Sequence, residues 1–127
     1  MTISAITTGA QTVTTTGAVT PTTGLDISGI SGEYTVHVRV QSLSAVSGTA
    51  KCAISLEDSV NGFTASVPVA EKQIQGPVDS KSEIHWVWKK YELPNARFGT
   101  TNAVLRANVV ALGGTTPSLT LDAWVES

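Results

Sequence analysis

Apolar and polar residues alternate most regularly over residues 33–43. Tyr34, Val36, Val38 and Val40 share one face there, and Glu33, Thr35, His37, Arg39 and Gln41 share the other. A period of two marks a strand with one buried face, and β-branched residues fit such a pleated surface. Residues 49–69 repeat the pattern, with Ala50, Cys52, Ile54 and Leu56 set against Lys51, Ser55 and Glu57. The alternation then meets Asp58-Ser59-Val60-Asn61-Gly62. Asp and Ser close turns with their own side chains, and Gly62 is free to take a positive φ, so this stretch predicts a hairpin. Pro68 assigns the second arm to a sheet edge or a bulge, because proline donates nothing to a ladder.

Further strands are predicted over residues 82–93, where Ile84, Trp86 and Trp88 share a face, and over residues 103–112. After the turn Gly113-Gly114-Thr115-Thr116-Pro117, residues 118–126 form a last strand. Leu119, Leu121, Ala123 and Val125 make its apolar face, which leaves Trp124 outward with Thr120, Asp122 and Glu126. Residues 7–23 are rich in Thr and Gly and read as an extended arm or edge strand, held by a neighbouring subunit or by the domain's own sheet. No segment keeps a 3.6-residue period with caps. Seven or eight strands without intervening helices predict an all-β chain: a single antiparallel β-sandwich of jelly-roll or immunoglobulin-like type over residues 24–127, preceded by the arm over residues 1–23.

A chain of 127 residues is one domain with one core. Hydrophobic residues make up 41%, charged residues only 14%, and Ser and Thr about a quarter, which suits polar but uncharged sheet faces. The formal charge of −2 comes without a basic cluster, Lys89-Lys90 being the only adjacent pair, so neither nucleic acid nor an anionic membrane is expected as a partner. The single cysteine, Cys52, excludes an intrachain disulfide and reads as a small buried thiol. The first residues, MTISAITTGAQ, lack the basic and apolar regions of a secretory signal, and no asparagine starts a glycosylation sequon; synthesis in a cytoplasm is expected.

No nucleophile elbow, phosphate-binding loop, dinucleotide fingerprint or metalloprotease motif occurs, and no cofactor or enzymatic activity is expected. His37 and His85 both lie mid-strand. They read as surface or interface residues, or, if their strands neighbour that of Cys52, as part of a metal site. Asp58 and Asn61, with Glu57 beside them, are expected to close a turn, with calcium binding as the alternative. Trp86 and Trp88, with Tyr91 nearby, fill the core, form a sugar-stacking platform, or anchor a neighbouring subunit.

Two functions follow from these residues: a structural subunit of a larger shell, and a carbohydrate-binding module built on Trp86, Trp88 or Trp124. The shell subunit would bury Trp124, outward Val104 and Val110 beside Arg106, and the Thr-rich arm against neighbours. The order of features favours the first. Thr35-Val-His-Val-Arg-Val40, then Ala53-Ile-Ser-Leu-Glu-Asp-Ser59 with Phe63 after Asn61-Gly62, then Arg106 and a closing Ser118-Leu-Thr-Leu121, resembles the layout of small β-sandwich structural proteins of tailed bacteriophages. The resemblance implies a capsid decoration, or cement, protein: a homo-oligomer, often a trimer, that clamps the major capsid protein lattice on the virion's outer surface. A tail or baseplate component is the alternative within the same group. The contact residues expected are Thr12, Val13, Thr14, Thr15, Thr16 and Val19 of the arm, together with Arg106 and Trp124.

Overall fold

The computed structural model describes residues 1–127. Its strands are β1 (Ile3–Ala5), β2 (Gln11–Val13), β3 (Gly17–Ala18), β4 (Leu25–Asp26), β5 (Thr35–Ser44), β6 (Ser47–Ser59), β7 (Val67–Gln75), β8 (Ile84–Lys89), β9 (Val104–Thr115) and β10 (Ser118–Glu126), with a short 3-10 turn at Lys90–Glu92. They form two antiparallel sheets. The first runs β1-β10-β5-β8 with β2 also on β10, and the second runs β3-β9-β6-β7 with β4 also on β9. The fold is an all-β sandwich, as the alternation predicts. Its ten strands exceed the seven or eight expected, because residues 1–26 add four short ones whose small side chains carry no periodic signal.

The inner faces are those of the sequence pattern. Val36, Val38 and Val40 of β5 and Leu119, Leu121 and Val125 of β10 meet Ile54 and Leu56 of β6 and Leu105 and Val109 of β9 in one core. Ile84, Trp86 and Trp88 also face that core and stay half-exposed because β8 is an edge strand. Pro68 behaves as expected on both counts: β7 is the edge of the second sheet, and its register with β6 shifts between Leu56 and Glu57, opposite the proline.

The N-terminal segment is not a free arm. Ile3–Ala5 pair with β10, Gly17–Ala18 pair with β9, and between them Ile6 and Val19 enter the core as fully buried plugs. The amide of Ile6 donates to the Ala123 carbonyl at 2.9 Å, and that of Val19 donates to the Ala107 carbonyl at 2.9 Å. Residues 1–26 thus cross from one sheet to the other and close one side of the sandwich. This corrects the contact role expected for Val19, whose side chain lies inside the domain.

The hairpin turn also differs in detail. Asp58 does not close it: its carboxylate is fully buried in β6 and receives the Arg97 backbone amide at 2.8 Å and the Arg97 guanidinium at 2.7 and 3.1 Å. Ser59 takes over, its hydroxyl accepting from the amides of Asn61 and Phe63 and donating to the Ala65 carbonyl at 2.7 Å. A Ser–Asn turn leaves the neighbouring carboxylate free to pin the loop before β9.

Candidate functional site

Alternate residues of the neighbouring strands β5 and β10 share the outer face of the first sheet. The register sets Trp124 opposite His37, Asp122 opposite Arg39 and Glu126 opposite Thr35. On the far side of β5, β8 sets Val87 opposite His37 and His85 opposite Arg39, while β1 brings Ala5 beside Trp124 and Ile3 beside Glu126. One transverse row therefore reads Ala5, Trp124, His37, Val87. Ile3 is 62% exposed and Val87 47%. No charged side chain interrupts this row.

The aromatic groups of the row are held in place. The His37 imidazole stacks on the Trp124 ring with centroids 5.0 Å apart and planes 8° apart, and the Arg39 guanidinium carbon lies 5.5 Å from the same ring. Arg39 is itself fixed by a two-pronged pair with Asp122, Nε to Oδ1 at 3.0 Å and Nη2 to Oδ2 at 2.8 Å. Forked pairs of this kind fix orientation as well as charge. His37 is buried, with Nδ1 2.9 Å from Nε2 of His85 and Nε2 2.9 Å from the Thr35 hydroxyl. Burial pushes the His37 imidazole below its ordinary value; the Glu126 carboxylate, 3.6 Å away, opposes this, and His85 adds to it. A neutral ring with both nitrogens engaged is a stacking surface and a hydrogen-bond relay, fixed before any partner arrives.

The expected contact residues fall into separate places. Trp124 lies on this face, as its phase in β10 predicts. Thr12 is exposed farther along β10, opposite Thr120, with its hydroxyl 2.8 Å from that of Thr120, while Val13 packs against the core. Thr14, Thr15 and Thr16 form the exposed turn where the chain leaves β2 for the second sheet. Arg106 is on the other sheet and is not a free contact residue. Its Nε donates to the Glu57 carboxylate at 2.6 Å, its Nη1 donates to the Thr22 carbonyl at 3.1 Å, and its guanidinium carbon sits 3.8 Å over the Phe63 ring. That guanidinium ties residues 1–26 to the second sheet.

His37 and His85 are brought together, whereas Cys52 belongs to the second sheet and faces the core, where burial raises its thiol to about 11. No group of three or more His, Cys, Asp or Glu side chains is arranged to hold a metal ion. The carboxylates of Glu57 and Asp58 are taken by Arg106 and Arg97, not aimed at a shared centre with Asn61. Trp86 and Trp88 face the core, so a two-tryptophan platform is not presented outward. No helix is long and apolar enough to cross a membrane. The sequence reading joined His37 and His85 only as ligands with Cys52, and it missed the Arg39–Asp122 fork. Both sets alternate on outward faces, but only the strand order makes them neighbours. Comparison with protein-family models, with curated proteins and with solved structures finds no match.

Proposed function

We propose that this chain is a non-enzymatic structural subunit of a virion, a decoration protein that seats the outer face of its first sheet on the major capsid protein lattice. The observation that carries the reading is the row Ala5, Trp124, His37, Val87. It is a flat apolar strip at the centre of a sheet, with its one large ring immobilised by His37 and Arg39. Interfaces concentrate their binding energy in such desolvated aromatic anchors, and an anchor already held in its bound rotamer loses little entropy on docking. The Arg39–Asp122 pair and Glu126 supply a polar rim that closes around the anchor. The sequence resemblance supports the choice of a capsid as the partner.

The mechanism is linkage. A subunit that binds the assembled lattice and not its loose components stabilises the lattice by about 2.7 kcal/mol per site at a hundredfold excess over Kd, and many copies multiply the effect. The test is co-sedimentation with shells assembled from the major capsid protein of the same genome. Wild-type protein is expected to saturate the shells, and Trp124→Ala to bind at least about tenfold more weakly. Undiminished binding by Trp124→Ala would overturn the assignment of this face.

A further inference from the structure

The side of the sandwich away from residues 1–26 has two open edges, β8 in the first sheet and β7 in the second. They are defended unequally. β7 carries Pro68, which has no N–H to offer, and Lys72, which pairs with core-facing Ile54 and so stands on the inward phase of its strand. Prolines and inward charges are how sheet edges avoid pairing with other chains. β8 has neither. The Lys89 amide turns away from β5 to bond the Glu92 carboxylate at 2.9 Å. Strand alternation then aims the N–H and C=O groups of Val87 and His85 outward along the open edge as well. On the inner face of this unguarded strand Trp86 and Trp88 remain half-exposed.

We infer that β8 pairs antiparallel with β8 of a second copy across a twofold axis at Trp86. With the axis normal to the sheet, this register sets Ile84 opposite the partner's Trp88, His85 opposite the partner's Val87 and Glu83 opposite the partner's Lys89. The charges at both ends of the strand are therefore complementary. Shifting the axis to His85 would set that imidazole against its own copy and Lys81 against the partner's Lys89. Shifting it to Val87 would set His85 against the partner's Lys89. Directly opposed opposite charges stabilise a strand pair, and of these three axes only the one at Trp86 sets Glu83 against Lys89. In that register His85 and the partner's Val87 exchange both backbone hydrogen bonds, and the tryptophans cover one another at the sandwich opening. The first sheet becomes continuous through both copies, and the row that ends at Val87 meets the polar row of the partner that holds His85, Arg39 and Asp122. A twofold pair replaces the trimer that the sequence resemblance implies. The inference rests on the edge alone and holds whatever partner the outer face meets.

Sedimentation equilibrium of the full chain tests it. The expected mass is twice 13.2 kDa. Glu83→Lys and Lys89→Glu are each expected to weaken the dimer about tenfold, and the double exchange to restore it. Both side chains are exposed, so the fold should survive, as circular dichroism will verify. On the wild-type chain, amide exchange at His85 and Val87 should slow as concentration rises while β7 amides stay unchanged, a readout independent of any variant. A monomer at the highest soluble concentration, a trimer, or a dimer indifferent to both charge reversals would overturn the proposal.

Discussion

The two outer faces of the sandwich rest on the same core and are built from opposite materials. The first sheet presents a tryptophan, two histidines and an arginine, with exposed Ile3 and Val87 at either side. The second presents mostly uncharged groups in register, Gln73 beside Ala53 beside Ala111 and Glu71 beside Ser55 beside Asn108, and its Arg106 is consumed by Glu57, Thr22 and Phe63. Even its shallow hollow of about 470 Å³ is floored by Ala53, Ala111 and Gly113, with the Lys51 side chain lying against Gly113. A face of small, internally satisfied groups contributes to holding the domain together. A face with a large ring fixed at its centre has something left to offer a partner. Charged residues occur on both, so what distinguishes them is whether the charges are spent on the chain's own loops or on orienting an outward ring.

That contrast can be broken in four ways, from the largest effect downward. The two sheets bury equivalent leucines, so Leu121→Ala in one and Leu105→Ala in the other should each cost about 3 kcal/mol in denaturant unfolding. A large inequality would show that one sheet leans on the other rather than sharing a core. Arg106→Ala should cost about 2 kcal/mol, since it leaves the Glu57 carboxylate without its partner and releases the Thr22 carbonyl, yet shell binding should be unchanged. Loss of binding with stability intact would reverse the roles given to the two faces. Trp124→Ala should show the converse, with a stability change of about 1 kcal/mol from the lost stacking and a severe loss of attachment. The smallest effect is on pH dependence. Because the folded His37 value lies below the ordinary 6.5, the fold favours the neutral ring. Its contribution is complete above that pH and is lost as the pH falls through the depressed value. His37→Gln should remove this part of the acid sensitivity, and an unaltered stability profile would show that another group carries it.

Much of this arrangement was legible in the sequence, and the illegible part has a physical pattern. The strands β5 and β10 were readable because each alternates large apolar against polar side chains over a long stretch, which also placed Trp124 outward without knowledge of its neighbours. Residues 1–26 were readable only as an extended arm or edge strand, without their partners in the sheets. Their backbone pairs with β9 and β10, but most of their side chains are Thr, Gly and Ala, and the two that enter the core, Ile6 and Val19, are isolated plugs without a period. Asp58 looked like a turn residue because local sequence says nothing of Arg97, which reaches it from a distant loop. The same limit hid the candidate site. Arg39 and Asp122 are separated by most of a domain along the chain, and become a forked pair only because β5 and β10 are adjacent in this strand order.

The placement of β10 between β5 and the strands β1 and β2 has a consequence for synthesis. On a ribosome, the first sheet can assemble only its β5–β8 ladder until the last nine strand residues emerge, whereas the β6–β7 hairpin and its β9 neighbour need nothing from the C-terminal strand. Ile3–Ala5 must wait for Trp124–Glu126, synthesised long after them. Contacts of such sequence separation are slow to form, and until they do the apolar inner face of β5 and the cavity for Ile6 stand open to other chains. The outer face proposed to grip a shell, which includes Trp124 itself, therefore comes into existence only once β10 has been made, so no nascent chain can dock before that strand emerges.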